Sequence, residues 1–219
     1  MCLYLAVALS LTSQVVIIAA GYDTRAYRLC QPGVTFFEVD LPVASERKKK
    51  LVEKCALAPA KGRLPVYAAA DLSRVDLSVA LEGTGFDPKL PTLFTIEGLI
   101  YYLPEAAAHR LVASVGRLAA PGSQLVFDFM HRAALTGHGK GYPGWMVTAK
   151  AVATKGEPYL FGIESAPAAV QQFVGLHGFR LQEFLSPRDM MEKHLPRVPW
   201  SDRTPPIASF YSYASVVKQ

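Results

Sequence analysis

The sequence is short of the features that mark several large classes of protein. Its three cysteines, Cys2, Cys30 and Cys55, stand far apart in no CxxC or Cys/His arrangement, so no zinc ribbon or disulfide scaffold can be assembled, and a reducing, cytoplasmic setting is expected. The histidines, His109, His131, His138, His177 and His194, include no HxH or HExxH spacing, so no metal site is expected. Charged residues make up only 19% against 51% hydrophobic, which excludes the charge-rich composition of a disordered chain. The 23 Lys and Arg exceed the 18 Asp and Glu without forming a basic block, so neither nucleic acid nor an anionic membrane is expected as a partner. Repeats and low-complexity segments are missing too. With 219 residues and roughly 150 per domain, the expectation is one domain over residues 1–219.

Charge is also missing from Met1 to Gly21, a stretch close to the ~20 apolar residues of a membrane span. A signal peptide or anchor is one reading of it. Against that reading, no basic residue precedes the apolar run, and Ser10, Thr12, Ser13 and Gln14 interrupt it. The other reading, adopted here, breaks it into a helix end over Met1–Leu11 and a buried strand over Val15–Ala20.

What is present is a regular alternation. Strands are expected at 15–20, 35–39 ending in Asp40, 64–70 leading into Asp71, 92–96 leading into Glu97, and 124–129. A helix over 45–58 carries the lysine run Lys48–Lys50 as its wet face, and Pro104–Glu105 open a helix through Leu118 that stops at Pro121–Gly122. Residues 132–144 read as a loop, 166–176 as a helix, and 179–185 and 207–217 as strands. This pattern predicts an α/β fold, a doubly wound, mostly parallel Rossmann-like sheet with an antiparallel C-terminal strand. That ending resembles class I methyltransferases.

Ligands of such sheets bind beyond the carboxyl ends of the strands. The first four ends carry Asp23, Asp40, Asp71 and Glu97 in turn. Gly21 in a strand-one turn followed by Asp40 at the end of strand two is a spacing suited to a ribose, whose hydroxyls donate to one carboxylate. The phosphate half of a dinucleotide fingerprint is missing, because the three glycine positions hold Ala19, Gly21 and Thr24. An adenosyl ligand without phosphates therefore fits better than NAD. Each acid has a plainer reading: Asp71 as a turn cap beside Ser73, Asp23 as an ion-pair partner of Arg25 or Arg28.

The segments IAAGYDTRAYRL at 18–29, FEVDLP at 37–42 and IEGLIYYL at 96–103 resemble the leucine carboxyl methyltransferase family of S-adenosylmethionine-dependent enzymes, over about residues 14–129. The resemblance implies S-adenosyl-L-methionine as methyl donor. It implies that the Gly21 turn passes under the ligand, that Asp40 holds the ribose hydroxyls, that Asp71 and the Leu72 backbone read the adenine, and that Glu97 faces the methionine end. Ala19 and Asp23 belong to the same cofactor turn, and Ala19 departs from the glycine usual at its position. Tyr101 and Tyr102 either wall the acceptor pocket or pack against the next helix. Family members usually have a helical segment with basic residues before strand one. Here no Lys or Arg precedes Arg25, so the single domain is expected to lack that segment.

The expected reaction is methyl transfer to a carboxylate or hydroxyl oxygen of a protein or small-molecule acceptor. A carboxylate is already ionised, whereas a phenol or alcohol needs a base. His131 and His138 lie where such a base would sit, or are solvated loop residues. Two other readings stay open: a non-catalytic methyltransferase-like module without its lid, and a nicotinamide oxidoreductase by fold analogy, the latter disfavoured by the glycine-poor turn.

Overall fold

Strands β1 (Gln14–Ile18), β2 (Thr35–Asp40), β4 (Thr92–Ile96) and β5 (Gln124–Met130) are runs of apolar and β-branched residues with both faces covered, the composition that parallel strands need between two helical layers. The computed structural model describes residues 12–203, 205 and 207–219, and the helix expected over Met1–Leu11 lies outside the described residues. With β3 (Val66–Ala69), β6 (Phe179–Leu185) and β7 (Tyr211–Lys218), these strands form one seven-stranded sheet in the order β3-β2-β1-β4-β5-β7-β6. The first five pair in parallel, and β7 runs antiparallel to both β5 and β6. The expected fold class is therefore realised, including the reversed final strand.

The order of strands reverses direction at β1, whose neighbours are β2 on one side and β4 on the other. The crossovers leaving β1 and β4 diverge there and open a crevice beyond their carboxyl ends. Around the sheet lie α1 (Arg25–Arg28), α2 (Pro42–Lys54), α3 (Leu77–Leu81), α4 (Glu105–Leu118), α5 (Arg132–Thr136), α6 (Trp145–Ala153), α7 (Pro167–Gly175) and α8 (Pro187–His194).

The core is split by the sheet. On one face Val16, Ile18, Phe94 and Ile96 share a cluster with Leu111, Val112 and Val115 of α4. On the other, Val15, Ile17, Phe36 and Leu93 meet Ala26 and Tyr27 of α1. Burying each such side chain stabilises the fold by about 1.5–3 kcal/mol before the entropy of ordering it is subtracted.

Several expectations change. β1 stops at Ile18, because Ala19 turns into the left-handed region at φ 56°. Helix α2 starts earlier and ends sooner than read, since Pro42 fits its first turn. Lys48 is not on a wet face: it is buried on α2, with its Nζ 2.6 Å from Oε2 of the buried Glu38 of β2. The loop read over 132–144 contains α5. Among the described residues, no helix is long and apolar enough to cross a membrane.

Candidate functional site

The crevice begins with the turn after β1. The N–H groups of Ala19 and Ala20 both donate to the Val39 carbonyl oxygen, at 2.8 and 3.3 Å, so the chain swings towards the end of β2. Ala19 (φ 56°) and Gly21 (φ 44°) are both left-handed, which glycine tolerates and which costs alanine roughly 1–2 kcal/mol. The Gly21 N–H then donates to Asp40 Oδ2 at 2.6 Å, and the Leu41 N–H to Asp40 Oδ1 at 2.7 Å. Asp40 thus holds the turn and the strand end in one piece, and each of its oxygens keeps a second lone pair.

Beside this turn opens a cavity of about 580 Å³. Ala19, Asp40, Asp71 and Leu72 line it from the strand ends, with Leu99 and Leu111 among the residues closing it from the other side. Four of the expected binding residues therefore share one wall. Asp71 also caps its own turn: Oδ1 accepts the Ser73 N–H at 3.0 Å and the Ser73 hydroxyl at 2.6 Å, and these bonds hold its pKa below the ordinary carboxylate value.

Asp23 and Glu97, from the ends of β1 and β4, meet through a residue that the sequence reading did not place in the site. Arg25 donates from its backbone N–H to Asp23 Oδ1 at 2.7 Å and from Nε to Asp23 Oδ2 at 2.6 Å, and its Nη2 also bonds Glu97. All three side chains are largely shielded, at 13, 15 and 17% exposure for Arg25, Asp23 and Glu97. Burial raises the Glu97 pKa and Arg25 pulls it partway back. In Arg25 burial opposes the charge, but the bond to Asp23 and the fields of both acids outweigh it. The Asp23–Arg25 pairing was foreseeable from spacing; the link to Glu97, 72 positions away, was not.

Further along the sheet edge lies an aromatic cluster. Tyr101 packs against Tyr102 and Tyr211, Tyr102 stacks on Tyr159 with ring centres 5.5 Å apart, and the Tyr159 and Tyr211 hydroxyls hydrogen-bond at 2.6 Å. Beneath it Asp128 is buried, accepting the Gly98 N–H at 2.8 Å and the Tyr101 hydroxyl at 3.4 Å. Burial pushes its pKa from 3.8 up to about 6. Of the two candidate histidines, His138 is exposed, whereas His131 is buried against Ser212 at 2.7 Å, and burial lowers its pKa to about 4. The loop reading thus fits His138 but not His131, which is neutral at pH 7.

A family model for leucine carboxyl methyltransferase matches residues 3–116. A Mycolicibacterium vanbaalenii protein named "Putative S-adenosyl-L-methionine-dependent methyltransferase" is 45% identical over 125 residues, covering 57% of this chain and 40% of that protein. The chain thus spans less than half the length of such relatives. Among solved structures, a DUF574 family protein from Streptomyces avermitilis superposes with a TM-score of 0.64 at 17% identity, over 99% of this chain and 79% of that one. Magnesium protoporphyrin IX methyltransferase from Synechocystis, solved with bound SAH, gives 0.58 at 12% identity, over 99% and 79%. At these identities the structural likeness concerns the fold.

Proposed function

The chain belongs to the leucine carboxyl methyltransferase family, and from that premise we propose that it binds S-adenosyl-L-methionine and transfers a methyl group to a carboxylate or hydroxyl oxygen of a small-molecule or protein acceptor. The observation that carries this reading is the cavity whose wall holds Ala19, Asp40, Asp71 and Leu72 together at the topological switch point. Its volume suits a ligand of this size.

The residues present fit the group. Asp40 offers two oxygens with unused lone pairs to the paired ribose hydroxyls. Leu72 and Leu99 supply apolar surface for a purine, and Asp71 with the Leu72 backbone would read its edge. A pyrophosphate would have to approach where Ala19 carries a methyl group, which disfavours a dinucleotide. When bound, the cofactor supplies a sulfonium-activated methyl group. The protein's own part is to hold donor and acceptor in line and to exclude water. The acceptor would enter beside Tyr101 and Tyr102. A carboxylate acceptor would need no base, whereas a hydroxyl acceptor would. The free thiols of Cys30 and Cys55 suit a cytoplasmic setting.

Calorimetric titration of S-adenosylmethionine and S-adenosylhomocysteine, with NADH as control, tests the reading. Micromolar binding of the adenosyl ligands alone is expected. A folded chain that binds neither would overturn it and favour the non-catalytic module.

A further inference from the structure

Outside the crevice, two titratable side chains meet face to face. His109 of α4 and His177, in the turn between α7 and β6, place Nδ1 and Nε2 3.1 Å apart. Their ring centres are 5.3 Å apart, close to that distance plus two ring radii, so the nitrogens lie nearly on the line joining the rings. Nitrogens set in this way share one proton, which one ring donates and the other accepts. The seat is apolar. Both rings are half-buried, Phe173 packs against His109 at 4.7 Å and against His177 at 5.9 Å, and Phe161 stands 6.4 Å from His109.

The charges around the pair give it no partner. On α4, Arg110 is the neighbouring residue, and Glu105, one turn back, pairs with Arg132 at 3.7 Å. From β7, Lys218 Nζ donates to the His177 carbonyl at 3.4 Å, and Gln219, with its terminal carboxylate, bonds the Gly178 carbonyl through its N–H at 3.2 Å. Neither histidine has an ion-pair partner among the described residues, and the His177 pKa is lowered by burial and then by the charge of His109. The pair keeps its bond when neutral and when it holds one added proton, since an imidazolium still donates to a neutral ring. A second added proton leaves two donors, no acceptor, and like charges in contact.

The same contact fastens a wall of the cavity. Ala107, Arg110 and Leu111, on either side of His109 in α4, line that cavity. Gly116, two turns further on, lies so near the His177 carbonyl that a Cβ there would collide with it. We propose that His109 and His177 form a proton-operated latch, which holds α4 against the α7–β6 turn while the pair shares a proton and releases it when both rings are charged. The folded pair takes its second proton less readily than the unfolded chain, where water surrounds each ring. The latch's contribution is therefore complete above the ordinary histidine value of 6.5 and falls as pH drops below it.

Hydrogen exchange of the α4 amides tests the latch, each rate being divided by the intrinsic rate at the same pH. Between about pH 7.5 and about pH 5, exchange around His109 in the wild type is expected to speed by about two- to tenfold, the worth of one lost hydrogen bond. In His177→Gln and in His109→Gln, where two cations cannot form, a change of less than about twofold is expected. The same pH dependence in wild type and variants would overturn the latch. Titration of the wild-type rings by NMR keeps the test decisive if neither variant folds. Two separated steps are expected, the lower one below the ordinary histidine value, and two independent titrations at the ordinary value would overturn the proposal.

Discussion

The carboxylate of Asp40 accepts the amide proton of Gly21 at 2.6 Å, joining residues 19 positions apart at the ends of neighbouring strands. The side chain proposed to hold the ribose is thus also the fastener of the turn beneath it. Asp40→Asn, which keeps a carbonyl acceptor for Gly21 but turns an amide N–H2 towards the Leu41 N–H, should lose less thermal stability than Asp40→Ala yet bind S-adenosylhomocysteine roughly ten- to hundred-fold more weakly. Asp40→Ala should lose affinity and some thermal stability together. Calorimetry beside thermal unfolding separates the two effects, and undiminished affinity in both variants would remove Asp40 from the site.

Ala19 occupies a left-handed conformation at φ 56°. Relief of that strain by Ala19→Gly is partly offset by the greater freedom of glycine in the unfolded chain. A net stabilisation of about 0.5–1 kcal/mol is expected, which for a chain of this size means a rise in Tm of about 1–4 °C. A lowered Tm would show that the methyl group contributes packing that outweighs the strain.

Lys48 and Glu38 form a buried ion pair with no further hydrogen-bond partner for either charged group. Lys48→Ala should cost about 3–5 kcal/mol, because an uncompensated carboxylate is left in the core. Replacing both, as Glu38→Leu with Lys48→Met, should be close to neutral. Urea unfolding of the two variants decides: similar losses in both would mean that the lysine matters for its packing and not for its charge.

Asp128 provides a signature in pH. Its pKa rises from 3.8 to about 6 because burial disfavours the charged form, with the Gly98 N–H bond opposing and Glu97 adding to the rise. A carboxyl with a raised pKa binds its proton more tightly in the folded state, so its stabilising contribution is complete below pH 3.8 and is lost as pH climbs through about 6. Relative to Asp128→Asn, the wild type should lose about 3 kcal/mol across that window. Equal pH dependence of the two would contradict the burial described for this carboxyl.

The parts of the fold that could be read from the sequence are those where local chemistry and tertiary environment agree. Thr35–Asp40 and Thr92–Ile96 lie where apolar runs placed them, and Glu105–Leu118 fills the interval between an early proline and a late glycine. The four strand-end acids were legible for the same reason, since each follows such a run. Lys48 was misread because the sequence offers only its charge, while its burial depends on Glu38 of a strand made earlier. Helix α8 was missed although Ser186, Pro187 and Asp189 spell out a capping box that could have announced it. Arg25 was invisible as a bridge because Glu97 is distant in the chain and becomes its neighbour only through the β1–β4 pairing.

The placement of β7 between β5 and β6 sets the order in which the molecule can be finished. A ribosome releases β6 before the strand that must flank it, so Phe179–Leu185 emerges with no partner and β5 waits with an open edge while several helices are made. Closure of the sheet is a late, long-range event, of the kind that slows folding and prolongs exposure of pairing-competent edges. Any agent that captures nascent chains should therefore find this one most vulnerable after β6 has appeared and before Tyr211–Lys218 has slotted in.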